Sequence, residues 1–201
     1  SSKAFEERFP RLDVLVNNAG MVPAQRSTTA DGLEMQFGVN HIGPYLLTRL
    51  LLPRLQASAP SRIVVVSSSV HRRSKLDFDD LQGEKNYSMM GAYAKSKLAN
   101  MMFVHALAKR LQGTGVTVNG LHPGVVATEF GSRNGLFSIV AKLAKPFLIT
   151  AEKGAATSIY LATAPEVATV SGKYFAKCKE AQPTRTAQDD EAARRLWAES
   201  A

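Results

Sequence analysis

Two residues near the middle of the chain have the types and spacing to move a proton at neutral pH. Tyr93 and Lys97 stand four apart within YAKSK, so on a helix they share one face. A free phenol, with a pKa near 10, keeps its proton at pH 7. An ammonium roughly 4 Å away, at an effective dielectric of about 20, favours the phenolate by about 4 kcal/mol, or about three pKa units. A shift of that size makes a tyrosine a proton donor or acceptor near neutrality. By itself Y-x-x-x-K says little, because average composition yields it roughly a few tenths of a time in a chain this long. Three more polar groups could join the pair: Asn17-Asn18-Ala19-Gly20, Ser67-Ser68-Ser69 and His122-Pro123-Gly124, each following a short apolar run. His41, His71, His105 and His122 lie on separate segments without metal-ligand spacing, so no metal is expected and the four read as structural or solvent-facing. Cys178 reads as a part-buried thiol.

Bringing these groups together requires a scaffold. Residues 13–16 (DVLV), 62–66 (RIVVV) and 116–121 (VTVNGL) are continuous apolar runs, the pattern of strands covered on both faces. Asp31 with Glu34 resembles a capping box opening a long helix. That helix carries Leu33, Phe37, Leu46, Leu47, Leu50 and Leu51 and ends near Ser58, before Pro60. The polar excursion HRRSKLDFDDLQGEKNYS leads to a second helix, from about Met90 to Gln112. Its apolar face is Ala94, Leu98, Met101, Ala108 and Leu111, and Gly113 and Gly115 stop it. An apolar stretch from Leu136 to Ile149 follows the third strand. Then come a helix opened by Thr150, a short strand around Lys173–Ala176 and a terminal helix near Asp190–Glu199. Strands alternating with helices indicate a parallel, doubly wound α/β sheet, whose ligands bind beyond the carboxyl ends of the strands. Those ends are where the polar groups fall.

Composition narrows the function. With 201 residues, 45% hydrophobic and 21% charged, the chain can bury a core without staples. One cysteine excludes an intrachain disulfide, and the opening SSKAFEERFPRLD lacks the apolar segment of a signal peptide. No apolar run reaches the length of a membrane span, so the expected location is cytoplasmic. A net charge of +8 raises nucleic acid as a partner. However, the basic residues are scattered, with no zinc spacing, aromatic RNA-binding motif or basic helical stripe, so no nucleic-acid partner is expected.

Taken in order, NNAG after a strand, Asn40 on the next helix, a serine at the next strand end, YxxxK, and PG-x-x-x-T after the third strand resemble the short-chain dehydrogenase/reductase family. The resemblance runs from about residue 11 to the end. VNHIGPYLLTRLLLPRL, DDLQGEKNYS, AYAKSKLANMMF, LAKRLQGTGVTVNGLHPGVV and ARRLW are similar to its retinol-dehydrogenase-like group. The resemblance implies a Rossmann-type fold, with residues 1–201 as one partial NAD(P)-binding domain containing the catalytic part. It implies hydride transfer between an alcohol or carbonyl substrate and NADP or NAD, NADP being favoured by the subgroup. Tyr93 becomes the general acid/base, and Lys97 lowers its pKa and hydrogen-bonds the nicotinamide ribose. Ser68 positions the substrate oxygen, with Ser67 and Ser69 as turn residues, and Asn40 holds a water in a relay to Lys97. Asn17, Ala19 and Gly20 line the adenosine side of the cofactor. Pro123, Gly124, Val126 and Thr128 meet the nicotinamide end, as do Tyr93 and Lys97. The stretch GLFSIVAKLAKPFLI takes the place of a substrate-side lid, and its apolar character points to a lipophilic substrate such as a retinoid, steroid or long-chain aldehyde. Core packing or contact with a membrane surface through Lys142 and Lys145 are the alternatives for it. Self-association into a homo-oligomer is left open.

Two features depart from the family pattern. These residues contain no TGxxxGxG turn and no residue that selects NAD over NADP. The first strand, apolar throughout, would also sit at a sheet edge, and the residues before it read as the end of a helix without its beginning. The expectation is a chain that starts mid-fold, with N-terminal strands and the phosphate-cradling glycine turn missing. A non-catalytic nucleotide sensor or scaffold on the same fold is the competing reading from another class, and an inactive fragment is a further one. Direct assay of NADPH turnover by the 201-residue chain is expected to show little or none, and robust turnover would contradict this.

Overall fold

The protein is described here by a computed structural model, covering residues 2–124 and 150–201. Five strands form one sheet: β1 (Val14–Asn17), β2 (Ser61–Val66), β3 (Val116–His122), β4 (Tyr174–Ala176) and β5 (Lys179–Ala181), in that spatial order. The first four run parallel, with β2 paired to β1 through Val64↔Val16 and to β3 through Val64↔Asn119. β5 is antiparallel to β4. The helices are α1 (Ser2–Arg8), α2 (Met35–Phe37), α3 (Gly43–Ala57), α4 (Met89–Arg110), α5 (Ala151–Thr163) and α6 (Asp190–Glu199), with one π turn at Gly38–Ile42.

Oxygen-bearing caps start α4, α5 and α6. Ser88 Oγ accepts from Gly91 N (3.1 Å) ahead of α4, Thr150 Oγ1 from Lys153 N (3.3 Å) ahead of α5, and Asp189 from Glu191 N and Ala192 N ahead of α6. Each satisfies helix donors that have no partner within the helix.

The continuous apolar run of β2 reflects burial on both faces. Ile63 and Val65 join Tyr45, Leu51, Leu55, Phe103 and Leu107 beneath α3 and α4. Val64 and Val66 point the other way, into a cluster with Leu121, Leu161, Val167 and Phe175 that includes α5. Helix α6 closes the first layer. Trp197 packs edge-on against Tyr45 at 5.1 Å between ring centroids, and the Tyr45 hydroxyl donates to Trp197 O (3.2 Å).

The structure differs from the sequence reading in four places. Asp31 does not cap the long helix. Gly32, at φ 81°, turns the chain, Thr29 N bonds Leu33 O, and Glu34 is the cap, accepting from Gln36 N and Phe37 N. Leu46, Leu47 and Leu50 are exposed, whereas the inward stripe of α3 is Tyr45, Thr48, Leu51 and Leu55. β1 is not covered on both sides: Leu15 and Asn17 are buried, but Val16 is 41% exposed. The β4–β5 hairpin went unforeseen because its two-residue turn is Lys177-Cys178, both in left-handed backbone (φ 53° and 58°). Asn and Gly are the usual residues there, so the turn had no sequence signal.

The contrast within α3 is measurable. Leu55→Ala, at a fully buried site, is expected to cost about 2–5 kcal/mol in urea unfolding. Leu46→Ser, on the exposed face, should shift stability by less than about 0.5 kcal/mol.

Candidate active site

The carboxyl ends of β1, β2 and β3 and the middle of α4 form one polar cluster. β2 delivers Ser67 and Ser68. Ser67 is not a turn residue: it is buried, and its Oγ donates to Lys97 O (2.8 Å), tying the strand end to α4. Ser68 is extended (φ −156°, ψ 157°) and caps the 3₁₀ turn Ser69–Arg73, its Oγ accepting from Val70 N at 3.4 Å. The same hydroxyl lies near enough to the Tyr93 phenol to lower its pKa, so the two groups stand at one place.

Lys97 lies one helical turn after Tyr93 and is 4% exposed. Its Nζ donates to Val66 O (3.1 Å) and stands 5.6 Å from the centre of the Tyr93 ring. Burial of the ammonium lowers its pKa to about 8. The sequence argument expected this cation to pull the Tyr93 pKa down. Instead the Tyr93 pKa is raised, because burial of the phenol outweighs the lowering influence of the nearby Ser68 hydroxyl. The reason is reciprocal: a low-dielectric site penalises both charged forms, and the ammonium is anchored on a backbone carbonyl of β2.

Asn40 sits fully buried in the π turn, a local widening that often marks functional sites. Its Oδ1 accepts from Met21 N (2.8 Å), and its Nδ2 donates to Met21 O (3.0 Å) and Ser96 Oγ (3.1 Å). Ser96 Oγ in turn donates to Tyr93 O (2.8 Å). Asn40 therefore clasps the loop after β1 to α4. Gly20 belongs to that loop for a steric reason, since a Cβ there would lie 3.2 Å from Asn40 Oδ1 and 3.6 Å from Lys97 Nζ. Asn17 faces away from this cluster, its Nδ2 donating to Thr48 Oγ1 (2.8 Å), and Ala19 is exposed. Pro123 and Gly124 follow β3, with Gly124 at φ 93°. Val126, Thr128 and the apolar 136–149 stretch lie outside the described residues.

Sequence reasoning gives no site role to Ser67, read as a turn residue, to His41, read as structural, or to Ser96 and Asn100. His41 Nδ1 faces Asn100 Oδ1 (3.3 Å), and Asn100 Nδ2 donates to Val66 O (3.4 Å), the carbonyl that also holds Lys97. Burial takes the His41 pKa down to about 4, so it is neutral at pH 7. Ser96 and Asn100 flank Lys97 on α4, and that spacing was the available signal. No group of three His, Cys, Asp or Glu suited to a metal occurs among the described residues, and no helix among them is long and apolar enough to cross a membrane.

The site and sheet together define a class. The family model for short chain dehydrogenase matches residues 2–136, and the chain belongs to the short-chain dehydrogenase/reductase family, in its retinol-dehydrogenase-like group. It is 52% identical to human retinol dehydrogenase 14 over 195 residues, covering 94% of this chain and 57% of that protein. With human retinol dehydrogenase 12 the identity is 48% over 201 residues, covering 98% and 64%. The chain thus spans about 57–64% of the length of such relatives. Among solved structures, an uncharacterised protein from Mycobacterium paratuberculosis superposes with a TM-score of 0.76 at 31% identity, covering all of this chain and 69% of that one. A short chain dehydrogenase from Burkholderia cenocepacia in complex with NADP gives 0.65 at 25%, covering 87% and 67%.

The depressed Lys97 pKa makes a stability prediction. Native Lys97 loses its proton near pH 8, against 10.5 for the ordinary group. Between those values the unfolded chain binds more protons, so stability rises with pH. Below about pH 8 both forms are charged and the cost of burying the ion stands in full. That cost is on the order of 3 kcal/mol, partly offset by the charged bond to Val66 O at about 1.5–3 kcal/mol. Lys97→Met should therefore be the more stable protein at neutral pH, with the difference shrinking towards pH 10 in urea unfolding. A variant less stable than wild type at neutral pH would count against it.

Proposed function

We propose that the protein is an NAD(P)-dependent oxidoreductase that interconverts an alcohol and a carbonyl, with Tyr93 as the general acid/base. The observation that carries this reading is the buried Lys97 ammonium 5.6 Å from the centre of the Tyr93 ring, with the Ser68 hydroxyl beside the phenol. The residues present fit a ribose of the dinucleotide: Gly20 leaves the space that a Cβ would fill beside Asn40 and Lys97, and Lys97 brings a buried ammonium to the same place. The bound dinucleotide supplies the hydride.

The chain's own residues handle the proton and the substrate oxygen. A raised pKa keeps the Tyr93 phenol protonated at neutral pH, so it is set to donate to a carbonyl oxygen. Lys97, with a pKa of about 8, is mostly cationic at pH 7 and is the group that would hold a ribose hydroxyl and stabilise the phenolate left after transfer. Ser68 Oγ, beside the phenol, steadies the developing charge on the substrate oxygen. Asn40, through Met21 and Ser96, keeps loop and helix in register, and a relay water beside it remains part of this proposal.

NADP is favoured over NAD by the subgroup resemblance and by the relative solved with NADP. The retinol dehydrogenase names of the relatives, together with the apolar 135–149 sequence, support a lipophilic substrate. Both readings are tested by assaying the intact protein with NADPH and with NADH against a panel of aldehydes, NADPH being the expected better donor. Long-chain and retinoid-like members should turn over best, and activity confined to small polar substrates would reject the lipophilic reading. Tyr93→Phe should lower kcat by roughly 10²–10⁴-fold while dinucleotide binding is retained; undiminished turnover would sink the assignment of the acid.

A further inference from the structure

We propose that His71 and His122 clamp the peptide unit joining Ser68 to Ser69 and so act as positioning residues for the Ser68 hydroxyl, which rests on the reading of Ser68 as the group that holds the substrate oxygen. The backbone ladder between β2 and β3 ends at Ser67 N→Leu121 O (2.8 Å). Two residues on, Ser69 N donates to His122 Nδ1 (3.3 Å), so a side chain of β3 takes over where the carbonyls of the strand stop. On the other side of the same peptide group, Ser68 O accepts from both the amide (3.2 Å) and the Nδ1 (2.6 Å) of His71. One imidazole therefore grips the carbonyl and the other the amide of a single peptide plane.

The chemistry of the two contacts sets the tautomers. A carbonyl only accepts, so His71 Nδ1 carries its hydrogen. A backbone amide only donates, so His122 Nδ1 is bare. Burial holds both pKa values below the ordinary histidine value, consistent with two neutral rings. With the preceding residue held to β3 through Ser67 N→Leu121 O, fixing this plane fixes ψ of Ser68, and with it the direction of its Cα–Cβ bond, at the residue where extended strand changes to 3₁₀ turn.

Two further observations mark these as positioning groups rather than filler. His71 is fully buried, edge-on to Tyr174 at 5.0 Å between ring centroids, and its Nε2 has no hydrogen-bond partner among the described residues. An orphaned buried nitrogen is a desolvation cost that an apolar side chain would avoid; what the imidazole offers in exchange is its Nδ1 donor. His122, in turn, directly precedes Pro123 and Gly124, so the clamp couples the serine turn to the loop proposed to meet the nicotinamide end.

A double-mutant cycle on the intact protein with NADPH and the best aldehyde of the panel tests the clamp. His71→Leu is expected to lower kcat about ten- to hundredfold with dinucleotide affinity held. His71→Asn keeps an amide donor at the place of Nδ1 and should recover most of the loss. In a Ser68→Ala background, His71→Leu should cause no further fall, since its effect passes through that hydroxyl. His122→Leu and His122→Asn, at a half-buried position, repeat the comparison from the amide side should His71→Leu fail to fold. Wild-type kcat in the leucine variants, or an equal further loss in the Ser68→Ala background, would overturn the clamp alone. Wild-type kcat in Ser68→Ala itself would overturn the reading of Ser68 and the clamp with it.

Discussion

The end of β2 and the middle of α4 are joined by two crossed bonds, and the site is built around that joint. Ser67 Oγ donates to the carbonyl of Lys97, and Lys97 Nζ donates back to the carbonyl of Val66. Neighbouring residues on the strand are thus bound to the backbone and the side chain of one helical residue, which sets both the height and the rotation of α4 over the sheet. Tyr93, one turn earlier, is carried to Ser68 as a consequence. Asn100, one turn later, shares the Val66 carbonyl and is itself held by His41.

Placing an ammonium in such a joint is costly, and the structure shows where the cost falls. The lysine is nearly excluded from solvent, and its pKa drops to about 8. A joint made for stability alone would use an apolar side chain or a neutral amide such as Asn100, and buried ions are poor stabilisers. A group kept at the edge of ionisation in the working pH range is instead what a site handling protons and hydroxyls requires. The π turn at Gly38–Ile42 follows the same logic. It presents two adjacent side chains to α4, Asn40 to Ser96 and His41 to Asn100, so that both flanks of Lys97 are held from one place.

The scaffold was largely legible in the amino-acid order because its causes are local. Runs such as RIVVV read as doubly covered strands since every side chain of β2 from Ile63 to Val65 is in fact buried, and the Thr150 cap announced its helix. Local rules failed where tertiary contacts chose between options. Asp31 and Glu34 both suit a cap, but the turn through Gly32 left the role to Glu34. Leu46, Leu47 and Leu50 are as apolar as Leu51, and only the way α3 rolls on the sheet turned them outward. The Lys177-Cys178 turn adopts a backbone that its residue types do not advertise.

For the candidate site, the identity and order of the groups proposed to react were present in the chain itself: a helical spacing of four puts Tyr93 and Lys97 on one face whatever surrounds them, and the serine must follow the strand that it ends. What no reading of the chain could supply was the environment. Whether the lysine lowers the phenol's pKa or is itself driven toward neutrality depends on how much water each retains and which carbonyl lies within reach. Likewise, the partnership of Ser67 with Lys97, of His41 with Asn100, and of His122 with Ser69 joins residues 30 to 59 positions apart. Ionisation and orientation are properties of the packed interior, because dielectric and hydrogen-bond geometry exist only once distant segments have excluded solvent together.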